Sequence, residues 1–368
     1  MASIGRITTR FTRISSSPSL LRCSLGLVAQ QPARARCFSS TPSVLHSNHT
    51  SSPSSSNNGN QGDAIYTVNK DEIAKFAAMS DEWWSPQGPF KMLHLMNPTR
   101  IRYIRNRLQA SGALSGNGGA FGDLKGCEGA EKFPVGRFPL QGLSILDVGC
   151  GGGLLAEALA RLGAKVTGLD ASVENIQMAR IHATKDPLLA GDGVSAPGSL
   201  EYRHQTAEQL LEQGNQFDVV CSMEVIEHVE NPAGFLKVLG QLVKPEGDLI
   251  LSTISRTPVS YFLTILCAEH LMRMVPVGTH HWTKYINPDE LEKGVETLSD
   301  CRVLNIQGIG FNPLSGQWEL TKSRNGESSM EGGLLGLMGP PLAEASNYFL
   351  AAKKPAEAPA ADSTSSSS

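Results

Sequence analysis

One stretch constrains this 368-residue chain more than any other: Leu146-Asp147-Val148-Gly149-Cys150-Gly151-Gly152-Gly153. An apolar strand, Ile145–Val148, runs into it and a helix, Leu154–Leu162, runs out of it. Glycines at 149, 151 and 153 let backbone approach a ligand where a Cβ would collide. The loop is not a phosphate-binding P-loop, because no Gly-Lys-Ser/Thr follows. It also misses the full dinucleotide fingerprint, since Leu154 stands where a third spaced glycine would be needed. Twenty-one residues after Gly149, Asp170 ends a second strand, Val166–Leu169. In a Rossmann-like sheet a carboxylate there accepts hydrogen bonds from both ribose hydroxyls, although a strand-end Asp also serves as a helix cap. A nucleoside ligand without phosphates fits this loop.

Downstream the same unit recurs. A helix over Glu174–Ala183 precedes a weak third strand at Tyr202–His204. A fourth strand at Phe217–Cys221, a helix at Ala233–Val243 and a fifth strand at Leu249–Thr253 follow. Alternating units of this length predict a parallel, doubly wound α/β sheet. Val303–Gly308 and Asn347–Ala352 read as final antiparallel strands. Ahead of the sheet, Asp71–Ala78 predicts a short helix, and Asn97-Pro98 opens another over Thr99–Ala110. Gly-rich, aperiodic segments at 111–141, 186–199 and 321–343 read as insertions within a domain spanning 70–354, with a disordered Ala/Pro/Ser tail at 355–368.

Charge is distributed unevenly. Up to Gly62 the chain holds six arginines and no Asp, Glu or Lys, so the net charge of −3 hides a remainder of −9. An acidic folded part excludes nucleic acid as a natural partner. The Arg- and Ser-rich leader, 1–38, has the composition of a mitochondrial transit peptide, with Arg34-Ala35-Arg36-Cys37-Phe38-Ser39-Ser40 resembling a processing site. A Ser/Asn/Pro linker, 39–69, follows. Seven scattered cysteines form no CxxC pair, which fits a reducing compartment. No apolar run reaches transmembrane length. The segment between Pro258 and Pro276, polar at Glu269, His270 and Arg273, reads either as an amphipathic helix at a membrane surface or as a core-packed lid over the substrate.

After the fourth strand comes Ser222-Met223-Glu224-Val225-Ile226-Glu227-His228-Val229. If helical, its spacing puts Glu224, Glu227 and His228 near one face, where two carboxylates and an imidazole could hold a divalent cation, magnesium being the natural choice although one imidazole would also tolerate manganese or zinc. The same residues would equally serve to shape a pocket without metal. His280 and His281 are candidate proton acceptors, and a structural role is open for both.

Asp147–Gly153 with Asp170 resembles the class I S-adenosylmethionine-dependent methyltransferases. Further segments narrow the resemblance: Trp83-Trp84, Phe90-Lys91, Leu93-His94, Asn97-Pro98-x-Arg100, Ser222–Val229, Leu242–Thr253, Arg273 through His280, Gly308 with Asn312-Pro313, and Asn347-Tyr348. Together they resemble the ubiquinone-biosynthesis O-methyltransferase family over about 70–353. The resemblance implies a Rossmann-like, seven-stranded sheet, mostly parallel with an antiparallel final strand. It implies S-adenosyl-L-methionine bound by Arg100, Gly149, Asp170 and Met223, and Mg2+ bound by Glu224, Glu227 and His228. His280, the histidine of the pair that matches the family pattern, is the candidate catalytic base. The implied partners are a polyprenylated catechol substrate, the matrix-side surface of the mitochondrial inner membrane, and a multi-enzyme ubiquinone-synthesis complex. Two rival functions are a quinone C-methyltransferase and a methyltransferase-fold assembly protein without turnover.

Overall fold

The computed structural model of the protein describes residues 66–114, 138–190, 198–271, 275–324 and 344–357. The leader 1–38, most of the linker, most of each insertion, Arg273-Met274 and most of the tail lie outside the described residues. The chain runs α1 (Lys70–Ala77), α2 (Lys91–Ala110), β1 (Ser144–Val148), α3 (Leu154–Arg161), β2 (Lys165–Asp170), α4 (Val173–Ala183) and α5 (Pro187–Ala190). Then come β3 (Ser199–His204), α6 (Ala207–Glu212), β4 (Phe217–Met223), α7 (Pro232–Leu242) and β5 (Val243–Ile254). The last part holds α8 (Pro258–Ser260), a π-helix (Tyr261–Leu271), α9 (Pro288–Leu298), β6 (Arg302–Asn312), β7 (Gln317–Ser323) and β8 (Asn347–Lys353).

Among the described residues these strands form one sheet in the order β3-β2-β1-β4-β5-β8-β6-β7. The strands from β1 to β5 pair in parallel, and β8 runs antiparallel between β5 and β6. The predicted class is therefore borne out, with an added edge strand: β7 pairs antiparallel with β6. Because β6 and β5 both oppose β8, β6 points the same way as the parallel strands rather than being antiparallel to them. Chain order reverses beside β1, and the carboxyl ends of β1, β2 and β4 open on the same side, where doubly wound sheets bind ligands.

The central strands are buried on both faces, so β1, β4, the second half of β5 and β8 are largely apolar without alternation. On one face Ile145, Val219, Ile250 and Phe349 pack with Tyr103, Ile104 and Leu108 of α2 and Leu159 of α3. On the other, Leu146, Val148, Val220 and Leu350 pack with Leu236 and Leu239 of α7 and Leu291 of α9.

Some expected boundaries moved. The helix expected from Thr99 starts at Lys91 and carries Pro98 in its interior. Burial of Met96, Thr99, Arg100, Tyr103, Ile104 and Leu108 along it outweighs the proline's lost hydrogen bond. The third strand begins at Ser199, and α6, not anticipated from the sequence, follows with Thr206 and Gln209 forming a capping box. The insertion expected at 321–343 starts inside β7. Thr67, expected in the linker, is buried, donates its N–H to Glu208 and accepts from Glu230 N–H.

Phe349 is fully buried in β8 and stacks on Tyr103 at 4.6 Å between centroids. Phe349→Ala should lower unfolding free energy by about 3–5 kcal/mol, read from urea denaturation of the folded variant.

Candidate active site

The turn after β1 is held by contacts that only glycine permits. Gly149 has φ 74°, and a Cβ there would lie 2.5 Å from Val225 Cγ2. Gly151 has φ 54° and is covered by the Trp83 indole, 2.3 Å from where a Cβ would sit. Asp170 ties this turn to the next one. Its Oδ2 accepts from Gly151 N–H at 2.9 Å, while Oδ1 accepts from Ser172 N–H at 2.8 Å and Asn175 Nδ2 at 3.3 Å. Burial raises the Asp170 pKa, and these bonds oppose the rise.

A segment ahead of the sheet caps the turn. Trp83 stacks on Phe90 at 3.7 Å and donates Nε1–H to Asn175 Oδ1 at 2.9 Å. Trp84 donates to Gly152 O at 3.0 Å and stacks on His182. The sequence signalled these tryptophans as motif residues, but not that they close over the glycines.

Below the cap lies a cavity of about 740 Å³. Arg100, Asp147, Gly149, Asp170, Met223, Glu224, Glu227, His228 and His280 all line it, so the predicted donor, metal and base residues reach one space, whereas the other candidate, His281, does not. Arg100 is almost fully buried, and its Nε and Nη2 have no hydrogen-bond partner. Burial lowers its pKa, while Glu224, Asp147 and Glu227 pull it back up. Burial pushes the Asp147 carboxyl up to about 7, with Arg100 opposing. Arg100 lines the cavity, and a guanidinium with two nitrogens lacking partners fits a ligand carboxylate. With the glycine cradle and Asp170 it fits the amino-acid and ribose ends of S-adenosylmethionine.

The acidic segment departs from the helical spacing assumed for it. Glu224 adopts φ 58°, and only Ile226–His228 forms a 3-10 turn. A left-handed glutamate costs about 1–2 kcal/mol, so tertiary contacts must hold it. They do: Glu224 N–H donates to Ser252 O, Ser252 Oγ donates to Oε1 at 2.8 Å, and Asn347 Nδ2 donates to Oε2 at 3.1 Å. Glu227 is buried and accepts from Thr253 Oγ1 at 2.9 Å. Desolvation, then the nearby Glu224 charge, pushes its carboxyl up to about 7.

His228 turns to Glu72 of α1, Nδ1 to Oε2 at 3.1 Å, a bond that holds the Glu72 carboxyl down at about 2. Among the described residues no three His, Cys, Asp or Glu side chains converge as a metal-binding group. What fits a cation is the chemistry of the donors. Glu224 and Glu227 line the cavity together, neither has a basic partner at ion-pair distance among the described residues, and the Glu72 bond is made through Nδ1 of His228, leaving Nε2 outside it.

His280 donates its backbone N–H (2.7 Å) to Glu269 Oε1, and its Nδ1 lies 2.9 Å from the same oxygen. Burial lowers the imidazole pKa, with Glu269 opposing. His281 is half exposed and lies 3.9 Å from Glu72.

A parallel sheet with a glycine turn, a strand-end carboxylate and a buried unpaired arginine defines an S-adenosylmethionine-dependent methyltransferase, and residues 146–251 match the methyltransferase domain family. The chain belongs to the ubiquinone biosynthesis O-methyltransferase family. It is 40% identical over 323 residues to the mitochondrial ubiquinone biosynthesis O-methyltransferase of Arabidopsis thaliana, covering 86% of this chain and 91% of that one. The Dictyostelium discoideum mitochondrial counterpart is 44% identical over 258 residues, 69% of this chain and 74% of its own. A magnesium protoporphyrin IX methyltransferase from Synechocystis PCC 6803 with bound SAM is similar at TM-score 0.44 and 16% identity, covering 78% and 98%.

Arg100→Met should weaken S-adenosylmethionine binding roughly 10- to 100-fold, the worth of a charge-assisted hydrogen bond. Calorimetry with decarboxylated S-adenosylmethionine should show little change, because that donor lacks the carboxylate that Arg100 would pair with.

Proposed function

We propose that the chain transfers methyl from S-adenosyl-L-methionine to phenolic oxygens of polyprenylated catechols, 3,4-dihydroxy-5-polyprenylbenzoate and a later demethyl-ubiquinol, in ubiquinone biosynthesis. The observation that carries this is the single cavity. Arg100, Gly149, Asp170 and Met223 hold the methyl donor at one part of it, Glu224, Glu227 and His280 meet the catechol, and Phe76, Leu263 and Phe311 give apolar lining for the start of a tail. Glu224, Glu227 and His228 through Nε2 would hold Mg2+, which when bound lowers the pKa of a chelated phenol and fixes which oxygen faces the donor. His280 accepts the phenol proton.

The site's second apolar feature is external. Phe262 (54% exposed), Leu266 (44%) and Leu271 (78%) project from the π-helix next to the cavity, although no helix among the described residues is long and apolar enough to cross a membrane. This exposure supports the interfacial reading of the segment over the core-packed lid, and we infer that the enzyme works as a peripheral protein at the matrix side of the mitochondrial inner membrane.

Purified protein given labelled S-adenosylmethionine and a short-tailed catechol should yield the O-methyl product, lose activity with EDTA and regain it with Mg2+. Glu227→Ala should abolish turnover and leave donor affinity nearly unchanged. Methylation at ring carbon, or full activity of metal-stripped enzyme, would contradict the reading. Replacing Phe262 and Leu266 by Ser should lower liposome partitioning by at least about tenfold while sparing methylation of the soluble catechol.

A further inference from the structure

The base proposed above has a partner that the motif reading passed over. Glu269 sits near the end of the π-helix with only 2% of its side chain exposed, and among the described residues it does not line the cavity. Its carboxylate accepts two backbone N–H groups of the following loop and faces one imidazole nitrogen: Gly278 N–H lies on Oε2 at 2.7 Å, and His280 N–H (2.7 Å) and His280 Nδ1 (2.9 Å) both lie on Oε1. No lysine or arginine of the described residues pairs with it. A buried carboxylate can only accept, so Nδ1 must carry the imidazole proton, and Nε2 is then the basic nitrogen.

We propose that Glu269 is a positioning residue, fixing the His280 ring and its tautomer so that Nε2 serves as general base for the phenol. This rests on the O-methylation reading above. In the step, the phenol O–H bond breaks and its proton goes to Nε2. The oxygen's electron pair forms the new bond to the methyl carbon. The carbon–sulfur bond breaks with its pair passing to sulfur, leaving the thioether product and an imidazolium facing Glu269. The proton then leaves to solvent. The other charged groups acting on His280 are His228 and Lys75, the latter bonded to Gly278 O at 2.5 Å. Neither touches Nδ1, so neither replaces Glu269.

Glu269→Gln cannot satisfy the same partners: an amide nitrogen at the Oε1 position opposes His280 N–H, one at the Oε2 position opposes Gly278 N–H, and the negative charge facing the imidazolium is lost either way. The test uses the full chain with Mg2+, selectively 15N-labelled at histidine, with His280→Gln to assign the ring signals. Wild type should show Nδ1 protonated and Nε2 free. Glu269→Gln should lose the single fixed tautomer and show signals of both ring forms, with kcat reduced on the order of 100-fold or more and KM for both substrates little changed. Glu269→Asp should keep the wild-type tautomer and recover part of kcat. A wild-type His280 protonated on Nε2 would overturn the assignment without any variant, as would a folded Glu269→Gln with wild-type kcat. If wild type itself fails to methylate the catechol oxygen, the function reading falls instead, and the tautomer measurement still judges Glu269 by itself.

Discussion

The two N–H groups that Asp170 accepts, Gly151 on one side and Ser172 on the other, hold the turns after β1 and β2 at a fixed separation. Everything at the carboxyl edge of the sheet is arranged around that clasp. It sets the glycine turn low enough for Trp83 to lie on it, and Asn175, which bonds both Asp170 and the Trp83 indole, carries the constraint into the cap. One side chain thus joins two strand ends, a helix start and the segment that precedes the sheet. A carboxylate in this position has less freedom to adapt to a ligand and offers a preorganised surface instead.

Charge in the cavity is the second organising term. Among the described residues Asp147, Asp170, Glu224 and Glu227 share it with one buried arginine, Arg100, so acidic groups there outnumber basic ones. Desolvation first, and then neighbouring carboxylates, raise the Asp147 and Glu227 carboxyls there. Such an environment favours ligands that bring positive charge, and both a sulfonium donor and a divalent cation do so. Ser252, Thr253 and Asn347, on two adjacent central strands, point the acidic pair into this space. The left-handed backbone at Glu224 is maintained by the same contacts.

The sheet, the glycine turn and Asp170 were legible in the sequence because each depends on local pattern: apolar runs, glycine spacing and a strand-end acid. Arg100 and Met223 were legible through family resemblance, and the cavity that unites them needed the fold. What stayed hidden depends on contacts distant in sequence. Glu72 meets His228 from 156 residues away, and no local rule announces it. Helical spacing misplaced Glu224, since a positive φ in a non-glycine residue is imposed by Ser252 and Asn347 and leaves no trace in periodicity. Pro98 marked a helix start on propensity, yet lies inside α2 because packing outweighs one lost bond. Glu269 stood out only as a polar interruption in an apolar run, a signal that does not reveal its partner.

The position of β8 bears on how such a chain is made. Residues 347–353 lie between β5 and β6, so the sheet's interior is completed by a strand that follows all the others in sequence. Until it arrives, β5 and β6 each present an open, apolar edge, and Asn347 is not there to hold Glu224. A chain growing from its amino end, or threading through a pore in that direction, therefore cannot lock its domain stepwise. It stays pliable until nearly the whole polypeptide is available, and then closes at once.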